Sequence, residues 1–218
     1  MRLIAWLLDL LFPPKCVFCG ALLEEKALDL CGDCRKALPR CSGEIKDISF
    51  CKQAYSVLFY EGQVRESIQR YKFSGMRNYA SAYGRLLAME ILRKQIYFDI
   101  LTFVPVSAKR RRMRGYDQAE LLAKAVGKEL GIPVTCCLDK LRDNPAQSGL
   151  SDSSARAANV RGVYRSHKQQ QYKGKTILLI DDVLTTGATI GECCNVLRMT
   201  GASEVCCLTL AAARKIFK

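Results

Sequence analysis

Residues 177–189, with the sequence ILLIDDVLTTGAT, combine side chains suited to binding a sugar phosphate. An apolar strand runs into two carboxylates, Asp181 and Asp182, and then into a hydroxyl-rich loop around Gly187. In parallel sheets, ligands bind at the carboxyl ends of the strands. Hydroxyls and free backbone N–H groups ahead of a helix suit a phosphate, whereas the acids suit diol hydroxyls or Mg²⁺. The segment therefore predicts a ribose 5-phosphate site.

Other motifs share part of this pattern. Receiver domains have a strand that ends in Asp-Asp, but it lies near the start of the domain and no Thr-Thr-Gly loop follows it. Gly174-Lys175-Thr176 imitates the end of a P-loop, but position 169 is Gln and a strand follows instead of a helix. A plain strand and turn is the remaining alternative.

Two C-x2-C pairs near the N-terminus indicate a metal site. Cys16 and Cys19 form the first pair, and Cys31 and Cys34 form the second after eleven intervening residues. Each pair offers two thiolates on one tight turn, and two turns can close a tetrahedron of soft ligands around Zn²⁺. We predict one structural zinc ion on these four residues. Unrelated core cysteines are the alternative.

The roles of the other cysteines are less specific. Cys41 and Cys51 either replace a zinc ligand or are buried. The remaining cysteines come as adjacent pairs, and neighbours in a strand point to opposite faces, so we expect core packing from them. These pairs are Cys136-Cys137, Cys193-Cys194 and Cys206-Cys207.

Twelve cysteines would suit a secreted disulfide scaffold, but the N-terminus does not support export. Residues 3–12 are apolar, with Arg2 before them and Asp9 among them, and no small-residue cleavage site follows. Ten residues are too few to span a bilayer. We expect a short amphipathic helix that packs on the protein or on a partner, with membrane-surface contact as the alternative. The expected location is a reducing cytoplasm, without a transmembrane segment.

The charge balance favours anionic partners. Thirty-four Lys and Arg residues against twenty-one Asp and Glu give a net charge of +13, which suits phosphates, nucleic acid or acidic lipid. Within residues 109–114, five of six positions are cationic. This run could neutralise a leaving pyrophosphate, contact a nucleic-acid backbone, or form a solvated face. A single His, His167, excludes mechanisms that need two histidines.

Strand and helix patterns alternate from residue 54 onward, which predicts a mostly parallel, doubly wound sheet. The composition changes near residue 52, so we predict two domains, 1–52 and 53–218. Residues 142–159 have no apolar period and are too long for an ordinary connector, which indicates a functional loop. The predicted strands are 54–60, 100–104, 133–138, 176–180 and 204–210, and the predicted helices are 64–73, 80–96, 118–130 and 190–200.

At this point the sequence resembles a known family. Residues 177–189 resemble the ribose-5-phosphate signature of type I phosphoribosyltransferases, which use phosphoribosyl pyrophosphate (PRPP). Nearly the whole chain resembles the competence-associated ComF family, which has an N-terminal cysteine module. Many relatives carry a closer pair than Cys41 and Cys51, which leaves the exact zinc ligands open. The further matching blocks are Tyr60-Glu61-Gly62, Tyr71-Lys72-Phe73-Ser74-Gly75, Val104-Pro105-Val106-Ser107, Arg114-Gly115-Tyr116-Asp117-Gln118-Ala119 and Gln147…Arg156-x2-Asn159-x2-Gly162.

The resemblance implies a fold and a role for each matching segment. The implied fold is α/β: a type I phosphoribosyltransferase-like parallel sheet with helices on both faces, plus a small N-terminal zinc-binding module. Asp181 and Asp182 would hold the ribose hydroxyls and Mg²⁺. The implied 5′-phosphate residues are Thr185, Thr186, Gly187, Ala188 and Thr189. The implied pyrophosphate loop is Val104, Pro105, Val106 and Ser107, with Lys109 and Arg110 after it, and the implied flexible loop contains Arg142, Gln147 and Arg156.

The implied activity is transfer of a phosphoribosyl group from PRPP to a nitrogen acceptor, with Mg²⁺ and with release of pyrophosphate. The chemistry needs positioning and charge stabilisation, and the signature contains no general base. The alternative comes from another class of protein. A non-catalytic accessory of DNA uptake would keep the fold and bind single-stranded DNA or a helicase-like ATPase.

Overall fold

The computed structural model describes residues 13–24, 29–143 and 162–217. The predicted N-terminal helix, Gln147 and Arg156 lie outside the described residues. In chain order the helices are α1 (Gly32–Ala37), α2 (Gly62–Phe73), α3 (Tyr79–Lys94), α4 (Ala108–Arg114), α5 (Gln118–Leu130), α6 (Gln169–Tyr172) and α7 (Ala188–Met199). The strands are β1 (Gln53–Phe59), β2 (Ile100–Phe103), β3 (Leu138–Lys140), β4 (Tyr164–Ser166), β5 (Thr176–Leu184) and β6 (Glu204–Ala212). A 3₁₀ turn covers Arg214–Phe217.

Four strands form one parallel sheet in the order β1-β6-β5-β2. Phe103 pairs with Ile180 at the end of β2, and Asp181 pairs with Thr209 of β6. Since parallel strands end at the same edge, the residues after β2 and the two acids of β5 share that edge. Strands β3 and β4 form a separate antiparallel ribbon.

Helices cover both faces of the sheet, as the predicted fold class requires. The sheet-facing side chains of α3 and α5 share a core with Leu178 and Leu208, and those of α7 share a second core with Leu179 and Cys207. Alternate residues of β5 and β6 thus point to opposite cores, which is the pattern of a strand buried on both sides. The expected fold class is confirmed.

Helices α3 and α5 approach closely because one residue lacks a side chain. A Cβ built on Gly84 of α3 would lie 2.3 Å from the Cβ of Ala125 in α5. Helix α5 is also well delimited: the Asp117 side chain accepts the Glu120 N–H at its start, and Gly131 with φ +70° ends it. Both ends of α5 agree with the sequence-based prediction.

Several elements differ from the predictions, and β4 and α6 are among those that were not predicted. The strand expected over 133–138 is wrong: Val134 forms one parallel bridge with Leu101, and regular pairing starts only at Leu138, in the ribbon. The chain leaves the sheet edge after the Thr135 N–H binds the Leu101 carbonyl oxygen. Helix α4 was not predicted, because none of its residues is buried and it shows no apolar period.

The N-terminal module packs against α2 and α3. The Phe18 ring lies 5.8 Å from the Tyr83 ring, and the Arg70 guanidinium donates to the Phe18 carbonyl oxygen over 2.5 Å. Residues 40–45 then run antiparallel along β1, with bridges Arg40–Leu58 and Ile45–Ala54. Within the described ranges, no helix is long and apolar enough to cross a bilayer.

Candidate functional site

The four predicted zinc ligands converge on one point. The Sγ atoms of Cys16, Cys19, Cys31 and Cys34 all lie within 4.8 Å of one another, and the Cys19 and Cys31 sulfurs are 3.6 Å apart. Zn–S bonds near 2.3 Å in a tetrahedron require sulfur separations of about 3.7 Å. The donor set and its spacing therefore fit a structural zinc ion.

Local structure explains why the four sulfurs meet. Gly20, with φ +80°, turns the chain directly after the first pair, and its N–H binds the Cys16 carbonyl oxygen. Cys31 caps α1 and accepts the Cys34 N–H over 3.4 Å, so the second pair sits at a helix start. Cys41 lies outside the four-sulfur cluster and is buried.

The other cysteines are buried in the core, except that Cys51 and Cys136 are only partly buried against it. Cys51 donates its thiol to the Gln53 carbonyl oxygen over 3.2 Å and is likewise outside the zinc cluster. Of the adjacent pairs, only Cys136 is not buried. Core packing is therefore confirmed for the rest, although Cys193 and Cys194 achieve it on α7 and not on a strand.

The two carboxylates of β5 lie at the shared edge of the sheet, beside an ammonium group. Lys72 Nζ, from the last turn of α2, is 2.7 Å from Asp182 Oδ1, and the two side chains are 19% and 12% exposed. Burial raises the pKa of Asp181 to about 8; the charge of Asp182 adds to this rise, and Lys72 opposes it. The pair can thus accept a proton, a cation or hydroxyl groups.

The predicted phosphate loop follows directly. It runs from the end of β5 to the first turn of α7, and Gly187 with φ +78° precedes the helix. A cavity of about 40 Å³ is lined by Asp181 together with Thr185, Thr186, Gly187 and Thr189. The structure therefore brings one carboxylate, three hydroxyl side chains and a helix N-terminus into one small cavity.

Residues from the N-terminal part cover the outer side of this loop. A Cβ on Gly187 would lie 3.3 Å from Ile48 Cγ1, and one on Gly191 would lie 3.4 Å from the Ser49 carbonyl oxygen. Asp47 and Phe50, on either side, have φ of +62° and +61°, which non-glycine residues rarely adopt. A cavity of about 550 Å³ opens between this segment and α7.

The predicted pyrophosphate loop lies beside β5 and is held by one buried acid. The Val104 N–H binds the Ile180 carbonyl oxygen over 3.0 Å, and the Val106 N–H binds Asp117 Oδ2 over 2.8 Å. Ser107 accepts the Arg110 N–H and starts α4. Asp117 is 3% exposed, and burial raises its pKa.

The basic run becomes α4, whose cations point in different directions. Lys109 and Arg112 are exposed. Arg110 lies 3.6 Å from the Asp143 carboxylate, at the start of the predicted flexible loop. Arg114 is half-buried and interacts electrostatically with Asp182, and burial lowers its pKa.

A further cation near the carboxylates is Lys140, which comes from the β3–β4 ribbon. Lys140 pairs with Tyr164, and its Nζ lies 5.2 Å from the centre of that ring. Burial lowers the pKa of Lys140 and raises that of Tyr164, and both interact electrostatically with Asp181. The Tyr164 hydroxyl is buried and has no hydrogen-bond partner within the described ranges. The predicted flexible loop, 142–159, lies between these two residues in the sequence.

Sequence reasoning missed four of these residues: Lys72, Asp117, Lys140 and Tyr164. Lys72 and Asp117 stand inside the blocks that carry the family resemblance, but no spacing rule linked them to the site. Lys140 and Tyr164 are separated by the polar segment, and only the ribbon pairing joins them.

Comparison with known proteins agrees with the two-part architecture. The double zinc ribbon domain matches residues 7–53, and the phosphoribosyl transferase domain matches residues 117–216. Competence protein F of Haemophilus influenzae is 28% identical over 207 residues, 92% of this chain and 85% of that protein. Competence protein ComFC of Bacillus subtilis is 27% identical over 182 residues, 80% and 68% of the two chains. The chain is therefore similar to ComF competence proteins over most of its length.

The chain is also similar to solved enzymes. An allosteric regulatory enzyme of purine biosynthesis is 24% identical, with a TM-score of 0.41, over 60% of this chain and 25% of the enzyme. The glutamine PRPP amidotransferase of B. subtilis is 23% identical, with a TM-score of 0.43, over 61% and 26%. This chain thus spans about a quarter of the length of these enzymes.

Proposed function

We propose that this protein is a member of the ComF family that binds PRPP with Mg²⁺ at the carboxyl edge of the sheet and transfers its phosphoribosyl group to a nitrogen acceptor. The observation that carries this proposal is the single cavity shared by Asp181 and the hydroxyls of Thr185, Thr186 and Thr189. Carboxylates accept hydrogen bonds from a diol, whereas hydroxyls and helix-start N–H groups donate to a phosphate. A ribose 5-phosphate contains both a diol and a phosphate. It therefore needs both hydrogen-bond acceptors and hydrogen-bond donors, and this one loop offers both.

In this proposal each segment at the carboxyl edge of the sheet binds one part of PRPP. Asp181 and Asp182 accept hydrogen bonds from the ribose hydroxyls, and the loop with Gly187 and Ala188 holds the 5′-phosphate. Residues 104–107, with Lys109 and Arg110, receive the pyrophosphate, and the loop with Arg142, Gln147 and Arg156 covers the site. Oxygen ligands are those that Mg²⁺ prefers, and the two acids offer them. When bound, Mg²⁺ would neutralise charge on the ligand.

The reaction breaks one bond and forms one bond at the anomeric carbon. The acceptor nitrogen donates its lone pair to that carbon, and the carbon–oxygen bond breaks with its electron pair leaving on pyrophosphate. The proton of the acceptor nitrogen is released to solvent. Positive charge on the ribose in the transition state lies beside the carboxylates of β5, and the cations Lys140, Arg110 and Arg114 stand near the departing negative charge.

PRPP titration tests this proposal. Calorimetry with zinc-loaded wild type should give a dissociation constant in the micromolar to millimolar range with Mg²⁺ and weaker binding without it. Asp182→Asn keeps the shape but removes the charge. Loss of a charged hydrogen bond, ~1.5–3 kcal/mol, should weaken PRPP by roughly ten- to a hundredfold.

Asp99→Asn is the matched control, because Asp99 accepts the Thr176 N–H over 2.8 Å at the opposite end of the sheet. It should leave PRPP affinity unchanged. If wild type fails to bind PRPP in that range, the proposal is refuted. A pyrophosphate-release assay with candidate acceptors then tests turnover separately from binding.

We also propose the module boundaries and the location. Residues 1–52 form a zinc-stabilised module, since structural zinc supplies folding free energy to units with small cores. Residues 53–218 form the phosphoribosyltransferase-like domain. The eight cysteines outside the zinc cluster are free thiols, which supports a reducing cytoplasm.

A second candidate function is an accessory role in DNA uptake, through single-stranded DNA or a helicase-like ATPase. The exposed cations Lys109 and Arg112 favour it, and the related proteins of H. influenzae and B. subtilis are called competence proteins. If α4 tracks a strand, Arg112→Gln should weaken DNA binding and lower its salt slope by about 0.7 for the lost phosphate contact. PRPP affinity should not change. If Arg110 binds pyrophosphate, Arg110→Gln should weaken PRPP binding and leave DNA binding unchanged.

A further inference from the structure

The rim of the carboxylate site carries one exposed aromatic ring. Phe73 is the last residue of α2 and follows Lys72, the partner of Asp182. It is 70% exposed. A single exposed apolar side chain is ordinary on a protein surface, so exposure alone indicates nothing. Its surroundings are what distinguish this ring.

A guanidinium group holds one face of the ring. Arg114 Cζ lies 4.9 Å from the centre of the Phe73 ring, and Arg114 Nη1 donates to Gln118 Oε1 over 2.7 Å. Gln118 is fully buried at the start of α5, and Arg114 interacts electrostatically with Asp182. Buried Gln118 therefore holds Arg114, and Arg114 in turn fixes the orientation of the Phe73 ring. Its exposed area lies on the opposite face and along its edge.

We propose that Phe73 is the platform on which the acceptor stacks, and that the acceptor is therefore a planar nitrogen heterocycle and not an aliphatic amine. This inference rests on the proposed function. If Asp182 holds the ribose hydroxyls, the anomeric carbon lies next to them, and the acceptor nitrogen must approach that carbon. Phe73 adjoins Lys72, which contacts Asp182, so a base on its free face lies at the mouth of the same site.

The ring fits one base better than a strand of nucleic acid. Proteins that bind single strands present successive aromatic rings along a groove. Within the described residues, the other aromatic side chains of α2 and α3 and the one that follows α4 are all buried, so Phe73 is the single stacking position on these elements. These buried residues are Tyr71, Tyr79, Tyr83 and Tyr116.

Fluorescence can detect stacking at this position directly. The chain has a single tryptophan, Trp6, so Phe73→Trp in a Trp6→Phe background places the only indole at the platform. The probes are adenine, guanine, hypoxanthine, cytosine and uracil, with glycine as the aliphatic amine. They are titrated with Mg²⁺ and saturating ribose 5-phosphate, which lacks the leaving group and cannot react. At least one base should quench the indole, and glycine should not.

Calorimetry with Phe73→Leu measures the contribution of the ring. Stacking on an aromatic side chain contributes ~1–3 kcal/mol per base, so affinity for the quenching base should fall roughly 5- to 150-fold. Affinity for ribose 5-phosphate should change less than about twofold. Tyr97→Leu removes a ring that is 85% exposed before β2, at the opposite end of the sheet, and should change neither affinity.

The outcomes separate the two proposals. If wild type binds ribose 5-phosphate but no base, or if Phe73→Leu binds bases as wild type does, the platform is overturned and the proposed function stands. If wild type does not bind ribose 5-phosphate, the proposed function fails and this inference fails with it. If Phe73→Leu loses affinity only for an oligothymidylate, the ring serves a strand and the inference is wrong.

Discussion

Removing the ammonium group beside the two acids should destabilise the protein by a predictable amount. Lys72→Met keeps the length of the side chain and deletes its charge. The 2.7 Å contact joins two side chains that are less than a fifth exposed, so it is a charge-assisted hydrogen bond largely shielded from water. Such bonds contribute ~1.5–3 kcal/mol, and we expect the free energy of unfolding to fall by about 2 kcal/mol.

A double-mutant cycle isolates this interaction. Urea unfolding in Mg²⁺-free buffer is measured for wild type, Lys72→Met, Asp182→Asn and the double variant. The coupling energy should be about 1–2 kcal/mol, because Asp182→Asn removes the charge that Lys72 would otherwise neutralise. Mg²⁺ should recover part of the stability lost in Lys72→Met, since it can neutralise the same carboxylates. Lys52→Met, which breaks an exposed ion pair with Glu204, is the control and should change little.

Two results would contradict this reasoning. A coupling energy indistinguishable from zero would mean that the contact between Lys72 and Asp182 does not stabilise the folded state. A gain of stability in Lys72→Met would mean that burying the ammonium is more unfavourable than the contact is favourable, as happens for some buried ion pairs.

Three further predictions concern separate parts of the molecule. Cys31→Ser should lower zinc content from about one ion per chain and expose the N-terminal module to protease, whereas Cys206→Ala should do neither. Because the pKa of Asp181 rises from 3.8 to about 8 on folding, the folded state holds a proton that the unfolded state has lost, and stability should fall as pH rises across that interval. Asp181→Asn should flatten this dependence in urea unfolding without Mg²⁺. Gly187→Val should abolish ribose 5-phosphate binding in calorimetry, because Gly187 has φ +78° and a Cβ there meets Ile48 at 3.3 Å.

The sheet and its main helices could be predicted because their signals are local. Strand β5 is an unbroken apolar run, and helix α5 has an apolar stripe with an acidic cap before it and Gly131 after it. The strand extends to Leu184, past the predicted end at residue 180, because Asp181, Val183 and Leu184 continue the ladder with β6. Polar residues inside a strand conceal its end from any rule based on apolar runs.

Helix α4, in contrast, could not be predicted from an apolar pattern. It forms because Ser107 caps its start and Gly115, with φ +76°, ends it, while no residue within it is buried. Its cationic sequence indicated a charge run, and the run could not be resolved into faces without the fold. Once folded, Arg110 and Arg114 are half-buried near acidic groups, whereas Lys109 and Arg112 are exposed.

The candidate site likewise contains residues that the sequence identifies and residues that only the fold identifies. The thirteen residues 177–189 contain both acids and all the loop hydroxyls, so one segment was enough to predict a type of ligand. The cations that surround these acids come from α2, α4 and the ribbon, and a sequence with thirty-four Lys and Arg residues does not identify them. Only tertiary contacts select Lys72, Arg114 and Lys140.

In the proposed function, these three cations offset the charge of two adjacent acids where a ligand rich in phosphate would bind. Lys72 opposes the charge of Asp182, while Arg114 and Lys140 are held partly out of water, which lowers the pKa of each. Cations that have already lost hydration bind an anion more strongly than exposed cations do, because the protein has met part of their desolvation cost during folding. The pyrophosphate end of PRPP would therefore meet prepared positive charge, and the ribose end would meet the acids. The charge of +13 matters at this site through those few half-buried groups, and an exposed residue such as Arg112 adds only a screened, long-range attraction.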